Sequence, residues 1–146
     1  MRRYGEAPEA GRRYTFRPGA YVILPRGGDI LLTHQASPTP EFQLPGGGID
    51  PGEQPMHALH REVFEETGWS IANPRRVRVY RRFTWMPDYE IWAEKLCTIY
   101  VAQPVRQIGD PTEPGHTAIW APIALAPDIL PDPGSADTLR QLIRIT

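Results

Sequence analysis

The sequence has one cysteine, Cys97, and one lysine, Lys95, among its 146 residues. A single thiol forms no internal disulfide and no multi-cysteine metal site, which points to a reducing compartment. Long hydrophobic runs are missing too. The longest, such as Tyr21 to Leu24, fall far short of the ~20 residues of a membrane span. The opening MRRYGEAPEAGRRYTFRPG has arginines but no apolar stretch behind them, so it does not read as a secretory signal. The expectation is a cytoplasmic protein with no membrane association. An excess of charge of one sign is also lacking: 16 basic residues face 17 acidic ones, for a net charge of -1. A general nucleic-acid binder carries a marked basic excess, so the balance argues against that class while leaving a local basic groove open. Fifteen of the sixteen cations are arginine, a skew that reads as genome composition rather than chemistry.

What is present fits one globular domain over residues 1–146. The length matches the ~150 residues of a typical domain and is enough for one sizeable core. Hydrophobic residues make up 40%, and 17 prolines and 13 glycines imply many turns. Residues 1–18 are polar and punctuated by Gly and Pro, which predicts a loose N-terminal arm. Two apolar runs, Ala20–Leu24 and Ile30–Leu32, flank Pro25-Arg26-Gly27-Gly28-Asp29 and predict a hairpin. Phe42–Leu44 reads as a short strand. The Gly46-Gly47-Gly48 run predicts irregular backbone, since consecutive glycines favour no regular element.

The texture changes at Gln54. Met56, Leu59, Val63 and Thr67 recur at helical spacing and fall within an arc of about 80° on a wheel. Pro55 sits where a helix start tolerates it, and Gly68 where a helix C-cap is expected. These signals predict a helix over residues 55–67. Arg76–Trp85 and Ile91–Ala102 read as long strands joined by Met86-Pro87-Asp88-Tyr89. Gln107–Gly115 reads as a loop and Thr117–Trp120 as a further strand. The Pro-broken stretch 122–133 leaves room for one helical turn, and a last helix opens at Ser135 with Leu139, Leu142 and Ile143 as its stripe. Strands and helices in this order suit an α/β arrangement, a mixed sheet with helices packed on it.

Glu62, Glu65 and Glu66 lie at i, i+3 and i+4 of the predicted helix and span about 100° beside its apolar arc. Like charges at this spacing repel by a few tenths of a kcal/mol per pair, so folding alone would not select them. A hard divalent cation prefers carboxylate oxygens, and Mg²⁺ favours a partner that brings phosphate oxygens. A solvated acidic face is the bland alternative for three glutamates taken alone. The neighbours shift the balance. Glycines lie upstream, where backbone approaches a metal or phosphate closely. Arg61 adjoins the cluster and is placed to pair with Glu53, holding the loop against the helix.

In full, the stretch is Gly47, five residues, Glu53, seven residues, Arg61-Glu62-Val63, one residue, Glu65-Glu66, one residue, Gly68-Trp69. It resembles the signature of the Nudix hydrolases, the Nudix box. At about 6% per residue type, seven fixed identities at fixed spacing arise by chance about once in a million chains of this length. Trp69 departs from the family, which usually has an aliphatic residue there. The box covers 23 residues; the order of strands and the late helix extend the resemblance, more weakly, over most of the chain.

The resemblance implies an α/β/α sandwich around a mixed sheet, with the box as loop–helix–loop. It implies hydrolysis of a nucleoside diphosphate linked to another group, such as a nucleoside triphosphate, ADP-ribose or another nucleotide sugar. The cofactor it implies is Mg²⁺, sometimes Mn²⁺. Glu62, Glu65 and Glu66 would be metal ligands, joined by the Gly47 carbonyl, and Arg61 and Glu53 would support them structurally. In such enzymes the proton is taken by a box glutamate or by an acid in the loop before the last strand. Here the candidates for catalysis are Glu62, Glu66 and Glu113. Two alternatives remain beside this reading: a binding module that senses a nucleotide without turning it over, and an RNA 5′-end pyrophosphohydrolase. The small-molecule substrate is the expected partner, and a homodimer is left open.

Other residues have blander explanations. His57 and His60 face away from the glutamates and read as surface histidines. His116 falls near the expected rim of the site. Arg75, Arg76, Arg78, Arg81 and Arg82 could meet phosphate but read better as a solvated strand face. Trp85, Tyr89, Trp92 and Tyr100 read mainly as core, with one or two at the pocket. Cys97 reads as a buried strand residue.

Overall fold

The structure is a computed structural model that describes residues 1–145. Its strands are β1 (Arg2–Gly5), β2 (Thr15–Ile23), β3 (Pro25–Arg26), β4 (Asp29–Gln35), β5 (Glu41–Gln43), β6 (Gly46–Gly48), β7 (Trp69–Met86), β8 (Ile91–Gln107) and β9 (His116–Pro122). Its helices are α1 (Pro55–Thr67), α2 (Ala126–Ile129) and α3 (Pro133–Ile145). One sheet has the order β1-β7-β8-β2-β6. It is mixed: β1 runs parallel to β7 and β2 parallel to β8, while β7–β8 and β2–β6 are antiparallel. In the second sheet β4 pairs with β3, β5 and β9, each antiparallel.

Two cores follow from the alternation of side chains along the strands. Cys97 and Ile99 of β8 pack with Tyr80, Leu130 and Leu139 on the side of α3. Tyr100 and Ala102 point the other way, to Ala20, Val22, Leu59 and Val63 on the side of α1. The result is the mixed sheet with helices packed on it that the sequence pattern implied, in the sandwich form that the resemblance implied.

Helix α1 keeps the predicted bounds. Proline occupies its first turn, and Gly68 at φ 77° closes it, donating its N–H to the Phe64 carbonyl at 2.8 Å. Leu59, Val63 and Thr67 are fully buried, and burial of each aliphatic side chain contributes about 1.5–3 kcal/mol. Met56, expected in the same stripe, is 36% exposed. The Gly68 carbonyl accepts the N–H of Ile108 at 2.8 Å, drawing the loop after β8 onto the end of α1.

Three expectations need correction. Residues 1–18 are not a loose arm throughout: Arg2–Gly5 forms β1, the buried Tyr4 ring packs edge-on against Tyr80, and Thr15–Pro18 begins β2. The Gly46-Gly47-Gly48 run is not irregular but pairs with Gly19–Tyr21 as an edge strand, where missing side chains permit close approach to neighbouring backbone. The hairpin around Gly27-Gly28 joins β3 to β4, while most of the first apolar run belongs to β2 in the other sheet. β7 and β8 are also longer than expected, because residues 69–75 pair with 101–107 across two register shifts, with Trp69 and Ile71 packing into the core on the side of α1.

Candidate active site

Two elements deliver four acidic groups to one place, and a third backs them. Helix α1 carries Glu62, Glu65 and Glu66. Strand β6 supplies the backbone against which they rest. The Gly46 N–H donates to Glu66 Oε1 at 2.9 Å. The Gly47 α-carbon lies so close to Glu62 that a Cβ built there would stand 2.6 Å from its carboxyl carbon. The loop before β9 brings the fourth acid. The N–H groups of Thr112 and Glu113 both donate to the Glu65 carbonyl at 2.8 Å. That carbonyl lies in the last turn of α1, where helix carbonyls lack internal partners, so the helix end fixes the loop.

Glu66 is buried, 6% exposed. Its pKa is raised well above the usual carboxylate value, first by desolvation, with the Gly46 hydrogen bond opposing and Glu62, Glu113 and Glu65 adding repulsion. Glu62 is raised as well. Desolvation leads, Arg61 opposes, and Glu65 and Glu113 contribute. Beyond Glu66, His116 Nδ1 lies 3.8 Å from Oε2 and 2.9 Å from Thr33 Oγ1. Burial depresses the His116 pKa against the pull of Glu113.

Arg61 is the clamp. Its Nε and Nη2 donate to the two Glu53 oxygens at 2.7 and 2.8 Å, a bidentate pair. Its Nη1 donates to Glu62 at 3.0 Å and to Glu65 at 3.4 Å. Glu53 also accepts the Asp50 N–H at 3.0 Å. The Arg61 hydrogen bonds, the Asp50 N–H and His57 hold the Glu53 carboxyl far below its ordinary pKa, and Glu53 in turn raises that of Arg61. One guanidinium thus ties the loop before α1 to two of its carboxylates.

A cavity of about 240 Å³ opens beside this cluster. Gly46–Gly48, Glu66 and His116 form part of its wall; Tyr21, Phe42 and Tyr89 supply rings elsewhere in the lining. Among the described residues no three His, Cys, Asp or Glu side chains converge tightly enough to make a preassembled metal cage. The donor chemistry still fits a hard divalent cation. Glu62, Glu65, Glu66 and Glu113 repel one another in a partly desolvated setting, and their oxygens are the ligand type such a cation prefers.

Every residue singled out as ligand, catalyst or support therefore lies in one neighbourhood: Gly47, Glu53, Arg61, Glu62, Glu65, Glu66 and Glu113. His57 instead joins Glu53 at 2.8 Å on the outer side, with its side chain 70% exposed, and His60 is exposed. The arginine stretch divides. Arg75 and Arg76 are exposed; Arg78 pairs with Asp137 at 3.2 Å, Arg81 with Glu94 at 3.6 Å, and Arg82 turns into the cavity. Of the four aromatics, Tyr89 reaches the cavity and Tyr100 the core, while Trp85 and Trp92 pair with each other across β7 and β8. Burial pushes the Cys97 thiol up to about 11. Sequence reasoning missed Arg17, Tyr21 and Lys95 in the cavity wall. The one signal was the rarity of lysine, which composition alone explained.

The sequence pattern of the NUDIX domain matches residues 15–142. A protein of Bacillus subtilis (strain 168) described as "Putative 8-oxo-dGTP diphosphatase" is 37% identical over 67 residues, covering 46% of this chain and 45% of that protein. An RNA pyrophosphohydrolase of Cereibacter sphaeroides is 40% identical over 63 residues, 37% of this chain and 39% of that one. The matched stretch thus spans less than half the length of these curated relatives. Among solved structures, a NUDIX hydrolase from Nitrosomonas europaea superposes with a TM-score of 0.73 at 18% identity over 89% of this chain and 90% of that one. A MutT NUDIX hydrolase from Burkholderia pseudomallei gives 0.67 at 24% identity over 87% and 98%. At these identities the superpositions speak for the fold.

Proposed function

The chain belongs to the Nudix family, and from that premise we propose that it is a metal-dependent pyrophosphohydrolase. Its substrate is a nucleoside diphosphate linked to another group, a nucleoside triphosphate or a nucleotide sugar, and its setting is the cytoplasm. No helix among the described residues is long and apolar enough to cross a membrane. The observation that carries the reading is Glu66: a carboxylate buried at a cavity wall, fixed by a backbone N–H and surrounded by three more acids. A fold gains nothing from such an arrangement, because buried unpaired charge is costly.

Glu62, Glu65, Glu66 and the Gly47 carbonyl would hold Mg²⁺, with Mn²⁺ as a substitute. When bound, the cation neutralises phosphate oxygens and acidifies water at the attacking position. The protein's own part is positioning and proton transfer. Arg61 and Glu53 keep Glu62 and Glu65 in place through the clamp. Glu62, held by Arg61, and Glu66, held by the Gly46 N–H, are the candidate bases from the helix, each a positioned carboxylate able to take a proton from water. Glu113 is the candidate base from the loop, seated by its own N–H on the Glu65 carbonyl.

The test is product release from a panel of nucleoside triphosphates, ADP-ribose, other nucleotide sugars and dinucleoside polyphosphates, with Mg²⁺ and with a chelator. Metal-dependent release supports the proposal. Tight nucleotide binding without release would instead make the protein a nucleotide sensor. The relatives named RNA pyrophosphohydrolase and the exposed Arg75 and Arg76 favour a second reading, removal of pyrophosphate from an RNA 5′ end. A short 5′-triphosphorylated RNA in the same panel decides between them.

A further inference from the structure

The cavity has a second charged wall, apart from the glutamates. Arg17 of β2, Lys95 of β8 and Arg82 of β7 are direct partners in the ladder, Arg17 with Lys95 and Lys95 with Arg82. They make one rung of three cations across three neighbouring strands, and all three line the cavity. Like charges placed opposite one another on paired strands are destabilising, so sheet formation does not account for this rung. Compensation inside the protein is thin. Arg82 lies 3.8 Å from Asp132, which also accepts hydrogen bonds from the Tyr80 and Ser135 hydroxyls and the Gly134 N–H. Among the described residues no carboxylate comes within ion-pair distance of Arg17 or Lys95. Their neighbours are rings instead: the Arg17 guanidinium lies 4.4 Å from the centre of Tyr89, and the Lys95 ammonium 5.7 Å from that of Tyr21. The Lys95 pKa is raised above its ordinary value, with Tyr21 as the leading cause and desolvation opposing.

The rung is displaced from the glutamates along the sheet. Gly46, whose N–H holds Glu66, pairs with Tyr21, four residues from Arg17 on β2. At about 3.3 Å per residue the backbones of Arg17 and Tyr21 are about 13 Å apart, and the Arg17 guanidinium reaches back to 3.8 Å from where a Cβ on Gly48 would stand. Guanidinium and ammonium groups are donors without acceptors, matched to phosphate oxygens. Asp132 is the one carboxylate among the described residues within ion-pair distance of the three cations, which leaves two positive charges at the rung, matching in magnitude the charge a phosphate monoester approaches at neutral pH.

Resting on the pyrophosphohydrolase reading, we propose that Arg17, Lys95 and Arg82 form a site for a phosphate monoester carried by the substrate away from its phosphoanhydride. The substrate class narrows accordingly to nucleoside diphosphate derivatives bearing an additional terminal phosphate. That phosphate sits either on the nucleoside's own ribose or on the group linked to the diphosphate.

Two matched pairs separate these sources: ADP against 3′-phospho-ADP, and ADP-ribose against ADP-ribose 1″-phosphate. Equilibrium binding to the full chain is measured without turnover, in a chelator, at about 0.1 M salt. We expect the added phosphate to tighten binding at least tenfold in one pair, and that advantage to fall to threefold or less in Lys95→Met, Arg82→Gln or Arg17→Gln. The pair that responds identifies the source. No tightening in either pair overturns the proposal, as does an advantage that survives all the folded variants. Should Lys95→Met fail to fold, the half-exposed Arg17 and Arg82 positions carry the same comparison. Discrimination in the chelator together with no hydrolysis of any panel compound once Mg²⁺ is restored would sink the enzymatic reading and leave this site standing.

Discussion

A methyl group at Gly47 tests the site more sharply than removal of any charge. The new Cβ would stand 2.6 Å from the Glu62 carboxyl carbon and 2.7 and 2.9 Å from its oxygens, where ordinary contact begins near 3.4 Å. The carboxyl carbon must therefore retreat by about 0.8 Å. Gly47 is not among the glycines at positive φ, so alanine fits its backbone, and reduced freedom of the unfolded chain offsets part of any strain, by about 0.4–1 kcal/mol. The yielding atoms belong to the end of a side chain, so the fold should survive and the melting temperature should move by only a few degrees. Activity should not survive as well. Displacement of a reacting group by about 1 Å costs on the order of 100-fold, so kcat for Gly47→Ala should fall by about 30- to 100-fold. Gly28→Ala serves as the control, since nothing lies within 4 Å of its new carbon. Steady-state kinetics beside a thermal melt give both readings. An unaltered kcat in a folded Gly47→Ala variant would refute the claim that the Glu62 position matters to the reaction.

Further consequences are measurable with the same protein. Glu66→Gln keeps an acceptor for the Gly46 N–H while losing the charge, so turnover should drop by about 10²–10⁴-fold, the range for loss of a positioned acid or base, with the fold retained by circular dichroism; near-normal turnover would remove Glu66 from the reaction. Chelation should abolish release of product and added Mg²⁺ restore it, checked by phosphate release before and after dialysis. The Cys97 thiol, buried and raised to about 11, should react with a disulfide reagent at neutral pH only as fast as the protein opens, and at an ordinary rate in denaturant; a fast reaction in the native protein would contradict its burial. Asp137 accepts a hydrogen bond from Tyr4 and ion pairs with Arg78 at 3.2 Å and Arg2 at 3.4 Å, which hold its pKa below the usual value with the Tyr4 bond as the leading cause. Its folded pKa lies below its unfolded one, so its contribution to stability is present above the unfolded value and is lost as pH falls through the folded one. The difference in denaturant midpoint between wild type and Asp137→Asn should therefore shrink as pH is lowered below about 4; a constant difference would argue against the ion pair.

The acidic half of the site was legible in the sequence because one local element carries it. Helix α1 has a start and a stop written in Pro55 and Gly68, and its period alone sets Glu62, Glu65 and Glu66 on one side. Glu113 was reachable only through family resemblance, since its place depends on two N–H groups meeting the last turn of a helix nearly fifty residues earlier in the chain. The glycine run was misread because local propensity says nothing of an edge strand whose one recommendation is that it lacks side chains. The N-terminal arm was misread because β1 is held by a parallel partner about eighty residues away and by Tyr4.

The basic wall shows the same principle in stronger form. Arg17 lies 65 residues before Arg82 and Arg82 lies 13 before Lys95, and of the three only Arg82 stood out in its own strand, as one of a run of arginines. Charge counting dissolved them into a chain with a net charge of -1. Only the register of β2, β8 and β7 lines them up, and register is set by the core faces and by the turn between β7 and β8 rather than by the cations themselves. A one-residue slip of β8 would turn Lys95 to the opposite face, together with Cys97 and Ile99, which are buried against α3. The packing that stabilises the sheet therefore also fixes the cationic rung. Substitutions at Cys97 or Ile99 that loosen register should weaken phosphate discrimination without touching a single charged group.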